Sequence, residues 1–74
     1  MANPIQERFA EVLLDKIRGD QYPSTTHMSM LEATASDRVL AEYLLHLMER
    51  IEQEPHPSTS MMQRVQRLAA QYGG

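Results

Sequence analysis

Apolar and polar residues along this chain recur with helical spacing. The cleanest stretch is 37–54, where Val39, Leu40, Tyr43, Leu44, Leu47, Met48 and Ile51 fall at i, i+3, i+4 and i+7 steps. Asp37, Arg38, Glu42, Glu49, Arg50 and Glu52 occupy most of the positions between them. Pro55 and Pro57 follow, and a residue preceding proline avoids the α region. The pattern therefore predicts a central helix over about 37–54, with the rest of the chain packed on it.

Three further helices are predicted. The first runs from Pro4 to about Arg18, with Asn3 as N-cap and proline at the first helical position. Gln6 is placed for a capping-box-like pair with Asn3. Its expected core face is Ile5, Phe9, Ala10, Leu13 and Ile17, with Leu14 at the edge. Glu7 and Glu11 come early and Lys16 and Arg18 late, which suits the helix dipole. Gly19 is expected at the left-handed position that closes many helices. After a turn at 19–23, Ser24 caps a short second helix over about 25–34, with Met28 and Leu31 facing inward. Thr34 or Ser36 is the expected cap of the central helix. Ser58 caps the last helix, about 59–71, whose apolar face is Met61, Met62, Val65, Leu68, Ala69 and Tyr72. Met1 and Ala2 are expected to be loose, and Gly73-Gly74 to stop the last helix or fray.

A shift of 34 residues aligns the two halves. It pairs Leu13 with Leu47, Ile17 with Ile51, Pro23 with Pro57, Ser24 with Ser58, Thr25 with Thr59, Met28 with Met62 and Ala35 with Ala69. With serine as N-cap, proline and methionine occupy the two positions that touch in a hydrophobic staple. The expected fold is all-α: one four-helix domain built from two αα-hairpins, with repeat units of about 4–35 and 37–72. Two units are too few for an open solenoid.

With 74 residues and no cysteine, the chain holds one small domain without disulfides or thiolate metal sites, and its stability margin is thin. Six methionines suit either an adaptable core or an adaptable binding surface. Ten acidic against seven basic residues give a net charge of −3, which argues against nucleic acid or anionic membrane as the main partner. No apolar run approaches the ~20 residues of a membrane span. The first residues lack the basic-then-apolar pattern of a signal peptide, so a cytoplasmic location is expected.

Chemical motifs are sparse. Met28, Met30 and His27 are soft ligand types, but residues two apart on a helix point to different faces, so core packing is the expected role. Glu42, His46 and Glu49 form an i, i+4, i+7 row without the Glu-x-x-His pattern of di-iron bundles, and a solvated face is expected. No nucleophile–base set and no glycine-rich loop is present. No catalytic activity, metal or cofactor is expected.

Two functional expectations survive. Leu45 lies about 130° around the central helix from the stripe centre at ~100° per residue, so it is expected to be exposed. With Tyr22, Tyr72, Leu14 and Met30 it would form an apolar patch for a protein partner, including a second copy of the chain. The favoured expectation is thus a small non-enzymatic interaction module, either a homodimer or an adaptor subunit. The alternative is a DNA-binding regulator. The last helix would then be a recognition helix presenting Ser58, Ser60, Gln63, Arg64 and Arg67, with no acidic residue among them.

Overall fold

The computed structural model describes residues 3–72, the side chain of Tyr72 excepted. Met1, Ala2 and Gly73-Gly74 lie outside the described residues. Four helices follow in order: α1 (Pro4–Gly19), α2 (Thr25–Thr34), α3 (Asp37–Gln53) and α4 (Thr59–Tyr72). No strand is present among the described residues. The fold is all-α.

Local chemistry sets the helix starts. Asn3 caps α1 by accepting from the Gln6 backbone N–H at 2.8 Å. Ser24 Oγ accepts from the N–H groups of Thr26 and His27 at 3.1 and 3.4 Å and so caps α2. Ser36, not Thr34, caps α3, accepting from Val39 N–H at 3.4 Å. Thr34 instead ends α2, and its hydroxyl donates to the Met30 carbonyl at 2.8 Å, a bond available to threonine inside a helix. Ser58 caps α4 through Met61 N–H at 3.2 Å.

The end of α1 departs from expectation. Gly19 is the last helical residue, and no described glycine has a positive φ. The chain leaves instead through extended Asp20, at φ −94° and ψ 132°, whose N–H donates to the Ile17 carbonyl. No left-handed residue is needed there.

The chain divides into two compact units, Met1–Ala41 and Glu42–Gly74. The division falls inside α3. In the first unit α1 packs against α2. Ala10, Leu13, Leu14 and Ile17 of α1, Met28 and Leu31 of α2, and Val39 of α3 are buried. In the second unit the buried side chains are Tyr43, Leu44 and Leu47 of α3 and Leu68 of α4.

The core line of α1 is rotated from the expected one. Leu14 is only 2% exposed, while Ile5 is 82% and Phe9 42% exposed. The reason is that α1 carries two apolar stripes. One is Ala10, Leu13, Leu14 and Ile17. The other, Ile5, Phe9 and Val12, lies about 120° away at ~100° per residue, and the helix buries the first.

The helix ends partly echo the 34-residue shift: α1 and α3 stop at Gly19 and Gln53, and α2 and α4 start at Thr25 and Thr59. The serine caps and the carbonyl bonds beside them also correspond, Met28 N–H to Ser24 O and Met62 N–H to Ser58 O. Burial does not follow the shift, since Met28 is buried while Met62 is exposed.

Candidate interaction surface

The outer side of α3 carries the surface feature the sequence singled out. Because Tyr43, Leu44 and Leu47 take the buried side, Leu45 is turned outward and is 59% exposed. Met48, one turn further on, is also exposed. Ala41 and Glu52 continue the same line by helical spacing, and Glu49 flanks it.

Of the other residues expected beside Leu45, Tyr22 stands on the α1–α2 turn at 85% exposure, and Met30 on α2 is exposed. Both belong to the first unit. Leu14 is buried in the core and is removed from the patch. The Tyr72 side chain lies outside the described residues.

The α1 stripe of Ile5, Phe9 and Val12 was missed as a surface. All three are exposed. The signal was present in the sequence as an i, i+4, i+7 series, but it competed with a second series on the same helix.

A cluster of charged groups ties the start of α3 to α1. Arg38 Nη2 donates to Glu7 Oε1 at 2.9 Å and to Glu11 Oε2 at 3.0 Å. Glu7 and Glu11 are four residues apart, so both face the same guanidinium. Ser36 Oγ donates to the same Glu7 oxygen at 3.1 Å. The Arg38 hydrogen bond, followed by that from Ser36, holds the Glu7 carboxyl below its usual range. These are part-exposed ion pairs; they fix the direction in which the chain starts α3 more than they add stability.

On α3, Arg50 Nε donates to His46 Nε2 at 3.0 Å. In that contact Nε2 of His46 is the acceptor. The described residues contain no group of three or more His, Cys, Asp or Glu placed to hold a metal ion.

In α4, Ser60, Gln63 and Arg67 are exposed and Arg64 is half-buried. The Ser58 hydroxyl is engaged as the N-cap. The helix sequence, TSMMQRVQRLAAQY, has no acidic residue.

Comparison with known proteins adds no identity. No family model, curated protein or solved structure matches the chain. No helix among the described residues is long and apolar enough to cross a membrane.

Proposed function

We propose that this protein is a small helical protein–protein interaction module that works by self-association or as an adaptor subunit. The observation that carries this reading is Leu45. A leucine 59% exposed on the outer side of the longest helix, with exposed Met48 one turn away, leaves apolar area that a partner would remove from water. On the first unit, Tyr22 and Met30 are exposed and are of types common in interfaces.

The test is sedimentation of the native chain and of Leu45→Glu at matched concentrations. Placing a carboxylate in an apolar interface costs its desolvation, so the variant is expected to sediment as monomer where the native chain does not. Equal sedimentation of the two would remove Leu45 from the interface and overturn the reading.

The acid-free face of α4 supports the DNA-binding alternative. Retention on DNA at ~50 mM salt, lost on Arg64→Ala with Arg67→Ala, would favour it; no retention at that salt would remove it.

A further inference from the structure

We infer that the partner is a second copy of this chain and that the exposed stripe of α1 in one copy docks along the outer line of α3 in the other. This rests on the self-association reading above and supplies its missing half.

The two surfaces match in pattern and in charge. The α1 line is Ile5, Phe9, Val12 and Lys16; the α3 line is Ala41, Leu45, Met48 and Glu52. Both follow i, i+4, i+7, i+11 spacing, so each runs about 16 Å along its helix. Phe9 and Val12 are exposed on one, Leu45 and Met48 on the other. Each line ends in an exposed charge of opposite sign, Lys16 and Glu52. Arg8, beside the α1 stripe, is paired with Glu11 at 3.8 Å, and Asp15 lies on the same side. Lys16 is thus the charge in line with the stripe. On α3, Glu49 adds a second carboxylate next to Glu52.

Charge and size also select the direction. Laid parallel, Ile5 meets small Ala41, Phe9 meets Leu45, Val12 meets Met48 and Lys16 meets Glu52. Laid antiparallel, apolar Ile5 would face the Glu52 carboxylate and Lys16 would face Ala41, which leaves both charges poorly matched. Each such contact joins α1 of one copy to α3 of another.

The test is a charge-swap mixing experiment read by sedimentation equilibrium. Lys16→Glu alone and Glu52→Lys alone each place like charges at the α1–α3 contact between two copies, and each is expected to weaken self-association about tenfold or more. Mixing the two variants restores a pair of opposite charges at any α1–α3 contact between unlike copies, so the mixture should regain the native affinity. Both positions are exposed helix sites, and equal helix content by circular dichroism confirms that each variant folds. If both variants self-associate like the native chain, or the mixture stays as weak as its parts, the α1–α3 pairing is overturned while self-association through Leu45 stands. If the native chain is monomeric at ~500 μM, a Kd weaker than that required for a functional dimer, the pairing and the homodimer reading both fall.

Discussion

The choice that α1 makes between its two apolar stripes has a measurable energetic signature. Leu14→Ala removes three carbons from a site 2% exposed. At about 0.8 kcal/mol per buried methylene this loses about 2.4 kcal/mol in transfer free energy, and the cavity left behind adds to it. The expected total is about 2.5–4 kcal/mol. Ile5→Ala also removes three carbons, but from a site 82% exposed. Less than a fifth of the same transfer free energy applies, about 0.4 kcal/mol, and alanine's better helix propensity offsets most of it. Ile5→Ala should therefore be near neutral. The assay is urea unfolding followed by far-ultraviolet circular dichroism at ~5 μM protein, low enough to keep self-association from adding stability. A domain of this size has only about 4–11 kcal/mol of stability in all, so Leu14→Ala should lower the midpoint steeply while Ile5→Ala leaves it in place. If Ile5→Ala costs as much as Leu14→Ala, α1 buries the other stripe, and both the core assignment and the surface built on Ile5, Phe9 and Val12 are wrong.

Two further outcomes are expected. Gly19 has negative φ, and a Cβ added there meets nothing within 4 Å, so Gly19→Ala should stabilise by about 0.4–1 kcal/mol and raise Tm by about 2–8 °C; a lower Tm in thermal scans would mean that glycine's left-handed freedom is in use. Glu7 has its carboxyl held below the usual range by Arg38 and Ser36, so its folded-state pKa lies under its unfolded one. Its contribution is present above the unfolded value and is lost as pH falls through the folded one. Stability measured by urea unfolding should decline as pH falls below the ordinary carboxylate range, and Arg38→Gln should flatten that decline; an unchanged acid slope in Arg38→Gln would show that the pairing does not persist in solution.

The features legible in the sequence were the local ones. The start of α2 at Thr25 follows from Pro23-Ser24, whereas its end at Thr34 depends on Ser36 rather than Thr34 capping α3, a choice the local pattern leaves open. The outward placement of Leu45 follows from the angular spacing of one unambiguous stripe on α3. The core line of α1 was not legible, because periodicity finds two stripes there and cannot say which one meets α2; only the packing partner decides. The ion-pair cluster was hidden for a different reason. Glu7 and Glu11 are visibly a pair four residues apart, but Arg38 is 31 and 27 residues away from them, and no local rule joins residues at that separation. Gly19 was misplaced because glycine at a helix end commonly adopts positive φ, whereas here extended Asp20 turns the chain without it. Tyr22, Met30 and Leu45 are each exposed, while Leu14 is in the core and Ile5, Phe9 and Val12 are exposed on α1.

The central claim is that the exposed apolar area serves self-association, and the molar mass of the unmodified chain in solution tests it most directly. Light scattering at ~10 μM and ~500 μM, which spans the affinities expected of a modest interface, should show a mass that rises toward twice 8.5 kDa at the higher concentration. A mass that stays at 8.5 kDa at both would contradict the account.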